Sequence, residues 1–503
     1  MVNKVEAENS IQPTRRIILL STLAQRLRRW GVETRGIQPI PETERTDTRY
    51  NRIFFIWLSS SFNIRSFSVG AVSPSYGLRL KDACAIILFF NMFFILFPAY
   101  LCTLGPKLGF RQMVYGRYSF GYFGVILPCL LNMMTALGYA VLTCIVGGQA
   151  LSAAGDGGLS LAVGITIVGI ASLALTFCGY KVLSWFDQLA WIPAFIVCPI
   201  MIGVGAKHLS IGDGPTPTLA SVFNYGVLVG AGVSWSAASS DFTSHFPPCA
   251  PSKRLFWYAY LGIIIPTTSM SILGAAFGAS VAHVPSWQQG FTDTNVGGFI
   301  AAILEPTGNF GKFLMVLLAL GVIANIATNL YCFCVNVEVF LPILLNTPRF
   351  IFSLVAAAIV IPVAIVGSRS FSDTLGNFLS VIAYWSGPFA AILSTEHLLF
   401  RRGRQENYDI NKWNSPSQLP TGLAALAAGA IGTTMGILCM NQAWYVGPIA
   451  KTTGDIGLEV SLATAFVMYI PFRSLEVYLW RDIHIPSLKV SFVVLRQNYL
   501  HTD

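Results

Sequence analysis

Twelve apolar runs set the strongest limit on what this chain of 503 residues can fold into. They cover residues 53–77, 83–104, 122–150, 158–179, 185–205, 221–241, 256–281, 313–341, 350–367, 374–400, 421–440 and 456–472. A helix that crosses the hydrocarbon core needs about 20 mainly apolar residues, and most of these runs reach that length. Charged residues make up only 11% of the chain, against about a quarter in soluble domains. The sequence therefore predicts an all-α polytopic membrane protein with twelve transmembrane helices.

The basic residues indicate how these helices are oriented. The formal net charge is +9, and the basic residues concentrate in the two tails and in alternate loops. Lys107, Arg111 and Arg117 lie between helices 2 and 3, whereas the opposite set of loops carries fewer, such as Arg79 and Lys81. Loops rich in Lys and Arg stay on the cytoplasmic side. We therefore expect both termini to be cytoplasmic, and the positive charge to reflect orientation in a lipid bilayer rather than a nucleic-acid partner.

Two of the runs are interrupted by polar residues. Helix 1 contains SSSFNIRS at residues 59–66, and helix 6 contains small and hydroxylated residues around Trp235 at residues 227–241. Hydrocarbon offers no water to such groups, so they must face protein or a solvated cavity. Interrupted helices in corresponding places of two halves are typical of the binding sites of secondary transporters. We predict two inverted repeats of five helices each, with helices 1 and 6 broken.

The predicted domains follow from this arrangement. They are a cytoplasmic N-terminal arm (1–52), the first repeat with helices 1–5 (53–205), the second repeat with helices 6–10 (206–400), a cytoplasmic loop (401–420), helices 11 and 12 (421–475) and a cytoplasmic C-terminal tail (476–503). Residues 296–306 are apolar but too short to span, and we expect them to form a lid helix on the outer face. Gly274 and Gly278 have the GxxxG spacing, which in a bundle indicates close helix packing more often than a dimer face.

Trp235, next to Ser234, is the first candidate for substrate binding. Its indole could stack on a flat ring, an interaction worth about 1–3 kcal/mol per base in nucleic-acid complexes. The alternative is a core tryptophan that packs between helices. Stacking tolerates any ring, so selectivity must come from hydrogen bonds.

The candidates for those hydrogen bonds are Asn63, Thr143 and Asn325, with Gln149 further along helix 3. The alternative for each of them is a hydrogen bond between helices of the bundle, worth about 0.6 kcal/mol on average.

Arg65 is the most unusual residue of helix 1. An arginine near the centre of a span costs about 2.5–3.5 kcal/mol on insertion scales, so it needs a reason to be there. It could pair with a carboxylate such as Asp187, Asp241 or Glu338, or it could contact an acidic or carbonyl-rich substrate. Asp187 itself, at the start of helix 5, could carry a proton as an inner gate moves or could cap the helix N-terminus.

Signatures of enzymes and of metal sites are missing from the sequence. It contains no HExxH, no GxSxG, no P-loop and no GxGxxG after a strand. The ten cysteines fall mainly within apolar runs, without paired metal-ligand spacing. We therefore predict that the protein is not an enzyme, has no cofactor and no metal, and keeps its cysteines reduced.

Several longer motifs resemble a known family. They are RGIQPIPETERTD (35–47), PKLGFRQMVYGRYSFGYFG (106–124), VGGQ (146–149), SWSAASSDF (234–242), YWSGPFAAILSTEHLLFR (384–401), YDINKW (408–413) and NQAWYVGPIA (441–450). With these motifs in this order, the chain resembles the fungal purine-cytosine permeases of the nucleobase cation symporter family. The resemblance implies a LeuT-like fold, a plasma-membrane location and proton-coupled uptake of cytosine and purines. It also implies that Trp235 stacks on the nucleobase, that helices 1, 3, 6 and 8 line the site, and that Asp187 takes part in gating or coupling.

The chain departs from the family pattern at the candidate site. Relatives have tryptophan where Tyr139 stands, asparagine where Thr143 stands and proline where Thr328 stands, and Arg65 is atypical of helix 1. Tyr139 is accordingly a further candidate for substrate binding, and Thr328 joins Gln149 as a candidate for gating or coupling. A site that loses amides and gains a cation is not expected to hold neutral cytosine in the family manner.

Three functions follow from these observations. The first is a proton-coupled symporter for a purine, cytosine or a related small heterocycle, with sodium at the junction of helices 1 and 8 as the alternative coupling ion. The second is a transporter of pyridoxine or of an acidic heterocycle that Arg65 would neutralise. The third is a nutrient sensor that no longer transports.

Overall fold

The computed structural model describes residues 36–155, 158–177, 182, 185–186, 188–209, 216–345 and 347–479. Nearly all of the regular structure in these residues is helical. The first helices are α1 (Arg52–Ser61), α2 (Ile64–Ala71), α3 (Leu80–Phe94), α4 (Leu96–Cys102), α5 (Gly105–Leu108), α6 (Gln112–Gly124), α7 (Ile126–Ala154), α8 (Leu161–Phe177) and α9 (Ile192–Gly205). The only strands in the described part of the chain form a two-residue hairpin, β1 (Asn441–Gln442) with β2 (Tyr445–Val446).

The remaining helices complete a bundle. They are α10 (Leu219–Gly230), α11 (Ser252–Ser280), α12 (Pro285–Leu304), α13 (Asn309–Phe340), α14 (Arg349–Gly367), α15 (Phe371–Thr395), α16 (Leu423–Leu438), α17 (Ala450–Thr453) and α18 (Gly457–Leu479). Helix α13 packs along α7, α11 packs against α2 and α1, and α16 and α18 pack against each other and against α15. The polar face between α15 and α18 holds a buried ion pair, in which Arg473 donates to Glu396 at 3.0 Å.

The outer surface of the bundle suits a lipid environment. Six helical stretches of the described residues are long and apolar enough to cross a membrane, and Leu161–Phe177, Ile192–His208 and Leu423–Leu438 are shorter apolar helices. Large apolar side chains such as Phe89, Phe123 and Val366 are mostly exposed on the outside of the bundle. Exposed apolar area on this scale is stable only against hydrocarbon. The chain is therefore an integral membrane protein.

The helical path is interrupted within the polar segment at residues 59–66. Helix α1 ends at Ser61, and the extended backbone of Asn63 (φ −149°, ψ 174°) leads into α2. Asn63 closes this gap with its own side chain, because its Nδ2 donates to Ser60 O at 2.8 Å and its Oδ1 accepts from Ser66 N at 3.4 Å. An asparagine in this position is a favourable N-cap. The sequence thus supplies the cap that lets a second short helix begin inside the bundle.

A second interruption follows α10. The chain tightens into two 3₁₀ segments, Ala231–Ala237 and Ser239–Phe242, separated by the non-helical Ala238 (φ −134°, ψ 0°). Hydroxylated residues favour this path because their side chains can donate to backbone carbonyls that the helix leaves unpaired. Ser239 Oγ, for example, donates to Trp235 O at 2.7 Å.

Close packing of glycines holds the short helix α2 against α11. A Cβ atom placed on Gly274 would lie 2.0 Å from Phe67 O, and one on Gly278 would lie 2.6 Å from Ala71 O. From the other side, a Cβ atom on Gly70 would lie 1.8 Å from Ser271 O. The GxxxG spacing of α11 therefore serves helix packing within the chain, as the sequence analysis expects of a bundle.

Helix α12 includes the segment that the sequence predicts to be a lid. It bends at Thr294 and Asn295, where the backbone leaves the helical region. Most of the following residues, 296–304, are buried. Gly297 N donates to Gln149 Oε1 at 3.4 Å, so this half of α12 contacts the end of α7.

Candidate substrate site between two interrupted helices

An aromatic pair lies where the second interruption meets α7. The indole of Trp235 and the phenol of Tyr139 are nearly parallel, with an interplanar angle of 7° and ring centroids 5.7 Å apart. The hydroxyls of Tyr139 and Ser234 are hydrogen bonded at 3.0 Å, and Tyr139 also donates to Ala231 O at 3.3 Å. Trp57 of α1 meets the indole edge to face at 5.0 Å. The 3₁₀ segment, α7 and α1 together therefore hold the indole plane in one orientation.

Arg65 of α2 lies beside this pair. Its Cζ atom is 5.2 Å from the centroid of the Tyr139 ring, a cation–π arrangement. The side chain is buried, at 6% exposure. Its Nη2 donates to Ser66 Oγ at 3.4 Å, and its Nε has no hydrogen-bond partner among the described residues.

A small cavity joins these three side chains. Its walls come from α2, α3, α7, α11, α15 and the chain around the second interruption, with Arg65, Asn91, Tyr139, Trp235, Thr267 and Ser271 among the lining residues. The cavity volume is about 30 Å³, room for one or two water molecules and too little for an aromatic ring. Two rings that sandwich a third must lie about 7 Å apart, twice the contact distance of about 3.5 Å. A flat ligand would therefore have to widen the separation of Tyr139 and Trp235.

Asn63, Thr143 and Asn325 do not line this cavity, and their side chains form hydrogen bonds within the protein. Thr143 Oγ1 donates to Asn325 Oδ1 at 2.9 Å, and Asn325 Nδ2 donates to Ser60 O at 2.6 Å. Asn63 donates to the same carbonyl oxygen, and Asn329 Nδ2 donates to Asn325 Oδ1 at 3.1 Å. Helix α13, the helix 8 of the sequence analysis, contributes these amides but no lining residue of the cavity. Asn63, Thr143 and Asn325 thus connect α1, α7 and α13 at the first interruption.

Of the three residues predicted to act in gating or coupling, the structure describes two, Gln149 and Thr328. Gln149 contacts α12, as described above, and its Nε2 has no partner among the described residues. The Thr328 hydroxyl is buried in α13 and is likewise unpartnered within that part of the chain. Asp187 lies outside the described residues.

Two of the carboxylates proposed as partners of Arg65 are bound elsewhere, so this part of the expectation is wrong. Glu338 forms a bidentate ion pair with Arg349, at 2.8 Å and 3.3 Å. Asp241 Oδ1 accepts from Gln112 N at 2.7 Å. Both carboxylates have nearer partners than Arg65 because α14 and α6 bring donors directly to them.

Asn91 is a lining residue that the sequence analysis missed. It is buried in α3, and neither its Nδ2 nor its Oδ1 has a partner among the described residues. Its signal in the sequence is a single amide in the run FFNMFF at residues 89–94. An isolated amide in an apolar helix must find a polar partner or a cavity, so the sequence does contain a signal for Asn91.

One end of the second interruption is clamped by the chain between α5 and α6. Arg111 Nη1 donates to Asp241 O at 2.7 Å, and Ser240 N donates to Gln112 Oε1 at 3.0 Å. Lys107 Nζ donates to the carbonyls of Pro248 and Ala250 at 3.0 and 3.2 Å. These contacts fasten the end of the second interruption to residues 107–112. Among the described residues, no group of three or more His, Cys, Asp or Glu side chains converges to hold a metal ion.

Two interrupted helices around a small buried cavity, within an integral membrane bundle, define the class of membrane transporters. A family sequence profile described as permease for cytosine/purines, uracil, thiamine, allantoin matches residues 39–460. The chain belongs to this permease family, whose members are transporters and not enzymes.

Curated relatives share most of the chain. The purine-cytosine permease fcyB of Emericella nidulans is 35% identical over 457 residues, which cover 89% of this chain and 89% of the relative. The vitamin B6 transporter TPN1 of Saccharomyces cerevisiae is 26% identical over 539 residues, covering 94% and 92%.

A solved structure shares the fold. Mhp1, a nucleobase-cation-symport-1 family transporter in a closed conformation with bromovinylhydantoin bound, superimposes with a TM-score of 0.70. That alignment covers 90% of this chain and 96% of Mhp1 at 16% sequence identity. The fold is therefore that of a LeuT-like transporter.

Proposed function

We propose that the protein is a secondary active symporter that imports a small flat nitrogen heterocycle, of the purine and cytosine class, by alternating access. The observation that carries this proposal is the parallel pair of Trp235 and Tyr139 on the wall of a buried cavity. Rings in this arrangement offer a flat ligand two faces on which to stack. The purine-cytosine permease among its relatives supports the choice of cargo.

The proposed architecture has twelve spans in two inverted repeats. Helices α1 and α2 would form the broken span 1, and α10 with its two 3₁₀ segments would form the broken span 6. Residues 53–205 and 206–400 would be the repeats, with residues 421–475 as two added spans. Both termini would be cytoplasmic and the protein would lie in the plasma membrane, so the clamp of Arg111, Gln112 and Asp241 would close the cytoplasmic side.

We expect the coupling ion to be a proton rather than sodium. Sodium at the junction of spans 1 and 8 would need free backbone carbonyls at the first interruption. There Ser60 O already accepts from Asn325 and Asn63, and Ser61 O accepts from Ser66 Oγ at 2.6 Å. Asp187 remains the proposed residue for proton coupling, with Gln149 and Thr328 as gating candidates. One proton moving down 100 mV releases about 2.3 kcal/mol, enough for about 50-fold accumulation.

Uptake into liposomes tests the proposal. Purified protein should accumulate labelled adenine or cytosine when the interior is made alkaline, and the accumulation should vanish when a protonophore collapses the gradient. Uptake that follows a sodium gradient at constant pH would contradict the choice of ion. Saturable binding without flux under either gradient would indicate a sensor.

Pyridoxine is the second candidate cargo, because the vitamin B6 transporter TPN1 is also a relative along most of the chain. Competition for uptake decides between a nucleobase and pyridoxine as the cargo. Under the first proposal, unlabelled adenine or cytosine should block uptake of the label more strongly than pyridoxine does. The reverse order would assign the protein to vitamin transport.

A further inference from the structure

The cavity beside Trp235 contains a positive charge without a matching negative one. Arg65 is buried, and its Nε has no hydrogen-bond partner in the described part of the chain. Its contacts are an Nη2 bond of 3.4 Å to Ser66 Oγ and the face of Tyr139 at 5.2 Å. A serine hydroxyl and a ring face balance a guanidinium far less well than a carboxylate does.

Among the described residues, no carboxylate supplies the negative charge that would balance Arg65. No Asp or Glu lines the cavity, and no ion pair within 4.0 Å joins Arg65 to a described carboxylate. The two sequence candidates that the structure describes, Glu338 and Asp241, bind Arg349 and the backbone of Gln112. A buried charge without a partner is costly. A cation retained in such a place is therefore expected to serve a ligand.

A second, independent group faces the same cavity. Asn91 of α3 is 1% exposed, and both of its side-chain polar atoms lack partners in the described chain. Its amide offers one donor and one acceptor to a ligand. Buried polar groups of native proteins are normally paired, so two unsatisfied residues on one cavity wall indicate a polar ligand with at least one strong acceptor.

We infer that the preferred cargo is anionic: a flat heterocycle with a carboxylate or another oxyanion group, whose charge is bound by Arg65 while its ring stacks on Trp235. Asn91 would bind a polar edge of the ring. The inference rests on the proposed transporter function and ranks its substrates: among flat nitrogen heterocycles, an anionic one binds more tightly than neutral adenine or cytosine. A neutral cytosine would leave the guanidinium without a counter-charge. A carboxylate instead offers two oxygens to the N–H donors along the edge of the planar guanidinium.

Matched pairs of heterocycles test this inference directly. Orotate differs from uracil by one carboxylate, and nicotinate differs from nicotinamide by the replacement of an amide with a carboxylate. Binding of all four compounds to the purified protein is measured at pH 7 by the shift in melting temperature and by competition with the labelled heterocycle in the uptake assay. We expect at least one acid to bind at least tenfold more tightly than its neutral counterpart.

Variants of Arg65 test whether its side chain causes the tighter binding of the acid. Arg65→Gln should weaken binding of the preferred acid at least tenfold and change that of its neutral counterpart less than threefold. Arg65→Lys keeps the charge and should retain part of the preference. Arg79→Gln is the matched control, since Arg79 pairs with Asp82 at 2.6 Å outside the cavity, and it should keep the full preference.

The outcomes that overturn the inference are distinct from those that overturn transport. Equal or tighter binding of both neutral compounds by the unmodified protein overturns it, as does an Arg65→Gln variant with full affinity for the acid. If neutral heterocycles are transported while neither acid binds, the transporter stands and the anionic cargo fails. If an acid binds through Arg65 without flux, the anion site stands and transport fails. If the Arg65→Gln variant does not fold, the binding of each acid and its neutral counterpart to the unmodified protein decides whether the inference holds.

Discussion

Individual side chains at the two interruptions fall into two groups. Thr143 donates to Asn325, and Asn325 and Asn63 both donate to Ser60 O, so their hydrogen-bonding capacity is used to join helices. Trp235 and Tyr139 instead present a parallel pair at a cavity wall. A residue of the first group holds the site in place, whereas a residue of the second group can contact cargo.

Replacement of Trp235 tests whether its indole contacts the cargo. Trp235→Ala removes the stacking face, worth about 1–3 kcal/mol, so we expect the KM for uptake to rise about 5- to 150-fold. Trp235→Phe keeps a ring and should recover much of the loss. Trp257→Ala is the control, because Trp257 is 54% exposed on the lipid-facing side of α11. An unchanged KM in Trp235→Ala would remove the indole from the binding site.

Asp47 is the basis of a pH-dependent prediction. Burial raises the pKa of its carboxyl, but bonds from Arg49 N and from Arg52 at 2.6 Å outweigh this and leave the pKa below its usual value. A lowered pKa in the folded state adds stability that is present above the unfolded pKa of about 3.9 and lost as the pH falls through the folded value.

Asp47→Asn should therefore lower the melting temperature slightly at pH 7, corresponding to at most about 1 kcal/mol. The difference from the unmodified protein should begin to shrink as the pH falls to about 4 and should disappear once the pH lies below the folded pKa of Asp47. Thermal melts across this range in detergent measure it, with the exposed Asp373→Asn as a control that changes little at either pH. A deficit that grows as the pH falls would contradict this reading of Asp47.

Among the structural elements, α2 depends most on its neighbours. Its eight residues are too few to be stable as an isolated helix. It is held by the cap of Asn63 at its start and by close approach of α11 along its side, where Ser271 Oγ donates to Ser66 O at 3.0 Å. The position of Arg65 in the cavity therefore depends on the glycines of α11.

A single methyl group tests this contact. Gly274→Ala places a Cβ atom 2.0 Å from Phe67 O, so α2 and α11 must separate, and we expect a loss of about 1–3 kcal/mol in stability. The control is Gly203→Ala in α9, where the added Cβ atom meets nothing within 4 Å and helix propensity favours alanine. Melting temperatures should fall for the first variant and stay equal or rise for the second. Equal behaviour of the two would refute the close packing.

On the scale of the whole molecule, the cavity at Trp235 is small, about 30 Å³. Gln112 N binds Asp241 at one end of the second interruption, and α12 packs on Gln149 near the end of α7. A flat cargo fits between Tyr139 and Trp235 only if their ring planes, whose centroids lie 5.7 Å apart, separate to about 7 Å. Such a movement between closed and open forms is what alternating access requires.

Ligand binding should therefore stabilise the whole protein. A cargo at 100 times its Kd adds about 2.7 kcal/mol to the free energy of unfolding, which a thermal melt in detergent detects as a higher melting temperature. Trp235→Ala should reduce the shift at the same ligand concentration, and mannitol, which has no flat ring, should give none. A transported heterocycle without any shift at saturation would contradict a binding site inside the bundle.

The sequence by itself determined that the chain lies in a membrane and where its helices had to be interrupted. The reason is local: a backbone in hydrocarbon must be helical, and polar runs such as residues 59–66 cannot face lipid. It also identified Trp235 and Arg65, because an indole beside an interruption and a charge inside a span are unusual wherever they occur.

Only the tertiary structure decided which polar groups are already used and which remain for a ligand. Thr143 and Asn325 are 182 residues apart in the chain, and Asn325 and Ser60 are 265 apart, yet they form one hydrogen-bonded cluster. The same folding gave Glu338 and Asp241 other partners and left Arg65 and Asn91 at one cavity wall. Hydrogen bonds are satisfied by proximity in space, and the order of residues along the chain does not contain that information.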